Sequence, residues 1–287
     1  MAFNVQTFKT RALTSVVFVI VMLAGLLINY TSFFLLFTII HFGCWIEYQK
    51  LVGLIDEDYQ KITAFHKYGV MLLGWSFMLW MTNGFLHLGN FRLVEIGWWL
   101  MIILIIVLPI AEISLSQDFN FKNIAYSLFG LAYISLSWGL MINLRSTFAN
   151  SFLGDIGWIL PVVLIASIWI NDTMAYIVGS FIGKTPLTSI SPKKTWEGTL
   201  GGAILAIAVV SLVCHYAFGF DLIPVIIISS IAAIIGTMGD IFESKLKRMA
   251  GVKDSGSIMP GHGGFLDRFD SLLLATPFVW MYVILFL

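Results

Sequence analysis

Long apolar runs separated by short polar segments make up most of this chain. They lie at about residues 12–29, 31–46, 68–86, 95–114, 122–143, 157–181, 199–220, 222–242 and 265–287. Each is close to the roughly 20 residues that a helix needs to cross the hydrocarbon core of a bilayer. The second run is short and ends in Glu47. The pattern predicts an all-α polytopic integral membrane protein with about nine transmembrane helices.

The distribution of lysine and arginine predicts the orientation of these helices. If nine helices span the membrane and the N-terminus is cytoplasmic, 14 of the 16 Lys and Arg residues lie on the cytoplasmic side. Only Arg92 and Arg145 lie outside. Because cytoplasmic loops of membrane proteins are enriched in positive charge, this split favours a cytoplasmic N-terminus and an external C-terminus.

The composition excludes several other classes of protein. Hydrophobic residues make up 59% of the chain and charged residues 11%, against roughly 25% charged in soluble domains. With 16 acidic and 16 basic residues the net charge is zero, so no nucleic-acid partner is expected. Cys44 and Cys214 stand alone in separate apolar runs, which argues against a disulfide framework or a zinc site.

Charged residues concentrate between Asp240 and Asp270. This stretch contains ten of the 32 charged residues and five glycines, although long apolar runs flank it. A charged side chain inside a membrane is costly, so a concentration of such side chains indicates a functional site. We therefore interpret residues 151–287 as a catalytic membrane half, with cytoplasmic loops at 183–202 and 243–266. Residues 1–150 are expected to serve as a scaffold or dimer surface.

The acidic residues of this stretch are candidate metal ligands. On a helix, Asp240 and Glu243 share one face, and Asp267 and Asp270 repeat the same spacing in the next apolar run. Paired carboxylate oxygens are what Mg²⁺ accepts while it keeps positions open for water or a substrate phosphate. The alternative is structural: Asp267 or Asp270 forms salt bridges with Arg268 or Lys247 that hold the loop closed.

Basic residues accompany these acids and indicate an anionic ligand. Lys and Arg beside carboxylates and a glycine-rich backbone suit a molecule that carries several phosphates. Anchoring against anionic lipid head groups is the alternative. The residues concerned are Lys245, Lys247, Arg248, Lys253 and Arg268.

A second polar cluster lies between Gly183 and Gly202. Ser191 followed by Pro192 predicts the start of a helix, with the serine as N-cap. Lys193 and Lys194 would then lie on its first turn, which opposes the helix dipole unless an anion binds there. An ordinary interfacial turn anchored by a tryptophan is the alternative.

Asp172 lies well inside the sixth apolar run. With Tyr176 it shares a narrow helical face of small residues that allows close helix packing. An acid inside a membrane is a functional candidate, and a buried hydrogen bond to Tyr176 or Asn171 is the alternative. His262, by contrast, is most simply a turn residue.

One long motif covers the charged stretch. It runs through Ser244-x-x-Lys247-Arg248, Lys253-Asp254-x-Gly256, Pro260-x-His262-Gly263-Gly264 and Asp267-Arg268-x-Asp270. This spacing resembles the signature of phosphatidate cytidylyltransferases, also called CDP-diacylglycerol synthases. Asp-x-x-Ala-Tyr from Asp172 and Ser-Pro-Lys-Lys-Thr-Trp-Glu-Gly at 191–198 are similar to two further motifs of that family. Met259 and Ser180 depart mildly from the pattern.

The resemblance implies that CTP and phosphatidic acid react to give CDP-diacylglycerol and pyrophosphate, with Mg²⁺ required and K⁺ as a second cation in some members. It also implies a homodimer. The orientation derived above favours a bacterial cytoplasmic (inner) membrane protein with its active site on the cytoplasmic side. A polyprenol or lipid kinase-type phosphotransferase and a secondary transporter are the alternatives.

Residue roles follow from the same resemblance, together with the patterns above. The expected metal ligands are Asp240, Asp267, Glu243 and Asp270. The expected catalytic residues are Asp240, Asp267, Lys247, Arg248, Lys253, Asp254 and Asp270. The expected substrate-binding residues are Lys193, Lys194, Ser191, Asp172, Tyr176, His262 and Arg268.

Overall fold

The computed structural model describes residues 5–115, 120–148, 155–257 and 263–287, with side chains from residue 13 onward. These residues form helices and one small antiparallel hairpin, β1 (His87–Leu88) and β2 (Phe91–Arg92). A π-helical segment, Leu131–Ser135, joins α6 to α7. The helices are α1 (Val5–Leu27), α2 (Tyr30–Ile55), α3 (Glu57–Gln60), α4 (Ala64–Trp80), α5 (Leu93–Leu115), α6 (Phe121–Gly130), α7 (Leu136–Thr147), α8 (Ile159–Ile182), α9 (Trp196–Phe218), α10 (Leu222–Met249) and α11 (Leu266–Phe286).

Seven helical segments in the described part of the chain are long and apolar enough to cross a membrane. They are α2, α5, the continuous α6–α7 segment, α8, α9, α10 and α11. The predicted class, an all-α polytopic membrane protein, is therefore confirmed. The first predicted span corresponds to α1, whose side chains are described over the apolar stretch Leu13–Leu27, and the third corresponds to α4, which has 17 residues.

Two predicted boundaries are wrong. The second apolar run does not end at Glu47, because α2 continues to Ile55. The Glu47 side chain is buried and accepts a hydrogen bond from a backbone amide. The helix expected to start at Ser191 and Pro192 begins at Trp196 instead. Its N-cap is Thr195, whose hydroxyl accepts a hydrogen bond from the Gly198 amide at 3.2 Å.

One hydrophobic core unites the two halves of the chain. Trp138 of α7 is fully buried, and its ring packs against Phe37 of α2 and Phe269 of α11 at centroid distances of 5.1 and 5.6 Å. The Ser137 hydroxyl adds a hydrogen bond to the Leu273 carbonyl of α11 at 2.5 Å. The early helices are thereby packed directly against α11, which carries predicted site residues.

A buried polar cluster links α4, α5 and α6. His66 Nδ1 lies 2.8 Å from Glu112 Oε2, and His66 Nε2 lies 2.7 Å from the Ser127 hydroxyl. The Tyr59 hydroxyl approaches Ser127 at 3.2 Å. Since buried polar groups are costly unless paired, this cluster fixes the register of three helices.

Small residues allow α8 and α9 to pack closely, as the sequence predicts. A Cβ added to Gly198 would lie 2.7 Å from the Ala175 carbonyl, and one added to Gly202 would lie 2.7 Å from the Ala175 nitrogen and the Asn171 carbonyl. Backbone approaches of this kind require glycine. This contact sets where Asp172, in the same stretch of α8, lies.

Gly202→Ala is expected to lower the stability of the protein by about 1–3 kcal/mol, because the new methyl group would force α8 and α9 apart. The measurement is thermal unfolding in detergent. Gly236→Ala in α10 is the matched control, since its Cβ would meet no atom closer than 3.4 Å. Equal unfolding temperatures for the two variants would contradict the packing argument.

An ion pair joins Arg145, in the last turn of α7, to Asp155, in the segment before α8. Arg145 donates to both carboxylate oxygens of Asp155, at 2.6 and 2.5 Å. Its side chain is only 2% exposed, and its guanidinium lies 5.4 Å from the ring centroid of Tyr30. The hydrogen bonds from Arg145 lower the pKa of Asp155 below its usual value.

Asp155→Asn should lower the unfolding temperature at pH 7, because it leaves the buried Arg145 charge without its ion pair. The pKa of Asp155 is depressed in the folded state, so the pair stabilises the fold above a pH of about 4 and less as pH falls further. The difference between wild type and variant should therefore shrink below that pH. Asp58→Asn, which removes the exposed pair with Lys61, is the control and should change little at any pH.

Candidate active site

The site forms where the C-terminal ends of α8 and α10 meet the N-terminal ends of α9 and α11. These helix ends surround a cavity of about 580 Å³ with both polar and apolar walls. Phe18, Ile168, Trp169 and Leu272 supply apolar surface. Nine of the predicted site residues line the same cavity: Asp172, Tyr176, Ser191, Lys193, Lys194, Asp240, Asp267, Arg268 and Asp270.

Two lysines pair with the acidic residues at this end of the bundle. Lys194, in the loop before α9, binds the Asp240 carboxylate of α10. Lys247 of α10 binds both Glu243 and Asp267, with its Nζ 2.6 Å from Asp267 Oδ1. The Glu243 side chain is fully buried and that of Asp267 is only 7% exposed. The salt bridge anticipated between Asp267 and Lys247 is therefore present.

Asp267 is held in one orientation by its second oxygen. Oδ2 accepts hydrogen bonds from the Ser255 amide at 2.9 Å, the Ser255 hydroxyl at 2.9 Å and the Gly264 amide at 2.8 Å. Gly263 adopts φ +83°, and a Cβ there would lie 2.4 Å from Oδ2. The backbone thus approaches the carboxylate in a way that only glycine permits.

The loop before α9 is shaped by backbone pairing. Trp196 donates its amide to the Thr185 carbonyl at 2.9 Å, and the Lys194 amide donates to Ser191 at 3.0 Å within a turn. Lys193 and Lys194 therefore lie in this turn and not on the first turn of a helix. The argument for an anion at a helix N-terminus does not hold at this position, although both side chains still line the cavity.

Other predicted residues lie away from the cavity lining. Glu243 and Lys247 are packed behind Asp267. Arg248 is exposed and donates to the Val252 carbonyl at 3.2 Å, while Lys253 and Asp254 are exposed in the loop after α10. His262 and Met259 lie outside the described residues.

Glutamates in two places were missed by the sequence analysis. Glu197 of α9 accepts hydrogen bonds from the Lys184 and Thr185 amides, each at 3.1 Å, and so fixes the loop after α8. Glu47 of α2 binds the segment that opens α11. An acid inside an apolar run was the available signal for Glu47, and it was interpreted as the end of a span.

The donor atoms at the site are of the type that Mg²⁺ prefers, because Asp172, Asp240, Asp267 and Asp270 all offer carboxylate oxygen to one cavity. In the described residues no three acid, histidine or cysteine side chains converge closely enough to form a ready metal site. Asp240 and Asp267 are bonded to lysines in this arrangement. The four aspartates therefore fit the chemistry of a hard cation, and the two lysines occupy some of the carboxylate oxygens that such a cation would use.

Comparison with known proteins identifies the class. The sequence matches the model of the cytidylyltransferase family over residues 9–286, and the chain belongs to that family. It is 32% identical over 218 residues to the phosphatidate cytidylyltransferase of Bacillus subtilis (strain 168), which covers 75% of this chain and 77% of that protein.

Two further relatives carry the same name. The phosphatidate cytidylyltransferase of Staphylococcus saprophyticus is 39% identical over 161 residues, 55% of this chain and 58% of that protein. The phosphatidate cytidylyltransferase of Synechocystis is 42% identical over 132 residues, 46% of this chain and 45% of that protein. These two alignments span less than two thirds of the relatives concerned.

Lys247→Met is expected to lower the free energy of unfolding by about 3–5 kcal/mol, because two carboxylates of low exposure lose their shared cation. Adding Glu243→Gln to this variant should restore part of the stability, since it removes one of the two negative charges. Chemical unfolding in detergent measures both effects. If the change in stability of the double variant is the sum of the changes measured for Lys247→Met and for Glu243→Gln alone, the charges are not coupled as described.

Proposed function

We propose that this protein transfers the cytidylyl group of CTP to phosphatidic acid and releases pyrophosphate. Its membership of the cytidylyltransferase family supports the reaction class, and relatives named phosphatidate cytidylyltransferase support the substrates. The observation that carries the proposal is the cavity itself, where four aspartates meet Lys193, Lys194 and Arg268 beside apolar surface. Charged side chains beside apolar surface suit this pair of substrates, because both carry phosphate and one of them also carries lipid chains.

The reaction requires alignment more than acid–base chemistry. An oxygen of the phosphatidic acid phosphate attacks the α-phosphorus of CTP, and the bond from that phosphorus to the oxygen bridging it to the β-phosphorus breaks. The attacking oxygen is already anionic at neutral pH, so no strong base is needed. Lys193, Lys194 and Arg268 line the cavity, and in this proposal they neutralise charge on the phosphate oxygens and orient the triphosphate.

The aspartates would repel a polyphosphate unless cations lay between them. We therefore assign Asp240 and Asp267 to hold Mg²⁺, with Asp270 and Glu243 as further carboxylates nearby and K⁺ as a second cation. When bound, the metal would stabilise charge that builds up on the phosphoryl oxygens. Asp267 enters this role with one oxygen already fixed by three hydrogen bonds.

The membrane arrangement belongs to the same proposal. With α1 and α4 counted beside the seven spans above, the chain would cross an inner membrane nine times, with its N-terminus and the catalytic cavity on the cytoplasmic side. The excess of Lys and Arg in the segments assigned to that side supports this orientation. Apolar cavity residues such as Trp169 and Leu272 would let the lipid enter sideways.

Assembly is the last part of the proposal. We expect a homodimer, and the largely exposed apolar surface of α5 supports a contact with a second copy or with lipid. Residues that contribute to this surface include Trp99, Ile106, Ile110 and Ile113. Either occupant would cover side chains that water would not solvate well.

The direct test is purified protein with phosphatidic acid, Mg²⁺ and CTP labelled at either the α- or the γ-phosphorus. Cytidylyl transfer should move the α-label into the lipid fraction and leave the γ-label in pyrophosphate. A kinase-type phosphotransferase would move the γ-label into lipid. A transporter would move neither.

In the same assay Asp267→Asn should lower kcat by about 100-fold or more, because a carboxylate assigned to hold the metal loses its charge. Asp58→Asn is the control, since Asp58 pairs with Lys61 on the exposed surface and should keep wild-type turnover. Near-normal turnover of Asp267→Asn would contradict the assignment of that residue.

A further inference from the structure

Glu47 of α2 connects the early part of the chain to the catalytic segment. Its side chain is buried at 5% exposure although it lies within an apolar helix. Oε1 accepts a hydrogen bond from the Phe265 amide at 2.9 Å, and Oε2 accepts one from the Leu266 amide at 2.9 Å. Both amides open α11, whose N-cap residue supplies no side-chain hydrogen bond of its own. A carboxylate from a distant helix therefore caps α11, where the helix dipole also favours negative charge.

Ser255 extends this contact to the reacting groups. Its hydroxyl lies 2.7 Å from Glu47 Oε2 and 2.9 Å from Asp267 Oδ2. A hydroxyl has a single hydrogen to donate, so the two carboxylates share it. A change at Glu47 would therefore change how the Ser255 hydroxyl hydrogen is shared with Asp267.

The loop glycines show that the close approach of Glu47 shapes the segment. A Cβ on Gly256 would lie 2.2 Å from Glu47 Oε1, and a Cβ on Gly264 would lie 2.2 Å from both Glu47 oxygens. Any other residue would collide with the carboxylate at both positions. The glycines of this loop therefore fit two carboxylates, Glu47 on one side and Asp267 on the other.

We propose that Glu47 is a positioning residue for the transfer reaction, which sets the orientation of Asp267 through Ser255 and the amides that open α11. The proposal rests on the cytidylyl transfer proposed above. It assigns a role at the reacting phosphates to a residue of α2 that does not line the cavity.

The test compares Glu47→Gln, Ser255→Ala and the double variant. Glutamine keeps the shape but places an NH₂ group opposite an amide donor, so kcat should fall about 10–100-fold, as is typical when a residue behind a ligand is changed. KM for CTP should change much less, because Lys193, Lys194 and Arg268 remain in place. Ser255→Ala should also lower kcat, and the double variant should lose little more than the worse single variant.

A second measurement does not depend on turnover. Hydrogen exchange of the Phe265 and Leu266 amides should become faster in Glu47→Gln and stay close to wild type in Ser255→Ala, which leaves both amide bonds intact. Glu112→Gln is the matched control: it alters a buried carboxylate in the same half of the chain and should lower stability while preserving kcat.

Several outcomes would overturn the proposal. One is a wild-type kcat in Ser255→Ala, and another is losses that multiply in the double variant, because either would mean that Glu47 does not act through Ser255. Since Ser255→Ala keeps the helix cap, it remains informative even if Glu47→Gln fails to fold. Absence of lipid-borne cytidine with the wild-type protein would instead contradict the proposed function.

Discussion

Opposite charges buried between α10 and α11 hold the catalytic end of the protein together. Lys247 contacts Glu243 on its own helix and Asp267 on the next, and all three side chains are largely shielded from water. Separating the helix ends would leave charges buried without partners, which is strongly unfavourable in a medium of low dielectric. This constraint fixes Asp267 at the cavity wall, which it shares with Asp240 and Asp270.

Glycine lets the backbone take part in this arrangement in two different ways. In α9, Gly198 and Gly202 bring one helix backbone against another and so place Asp172 opposite the later helices. In the loop before α11, Gly256, Gly263 and Gly264 let amides and carboxylates meet without an intervening Cβ. The first use is van der Waals packing between helices, and the second supplies hydrogen-bond donors to buried charge.

Local patterns predicted the fold class and the charged residues that line the cavity, but they misjudged two boundaries for identifiable reasons. Ser191 and Pro192 form a good helix start by local rules, yet Thr195 caps α9 because the preceding residues pair with the backbone near Thr185. Glu47 looked like the end of a span because an acid is costly in an apolar helix. Its donors come from residues more than 200 positions later, which local reasoning does not reveal.

The sequence by itself determined that this is a helical membrane protein with its charged residues gathered at a few helix ends, because hydropathy and charge act on each segment separately. The motifs also identified the family. Only the tertiary structure decided which charges meet: Lys194 with Asp240, Lys247 with Asp267, and Glu47 with the start of α11. Each of these contacts joins segments distant along the chain, so it depends on how the helices pack and not on the composition of any one of them.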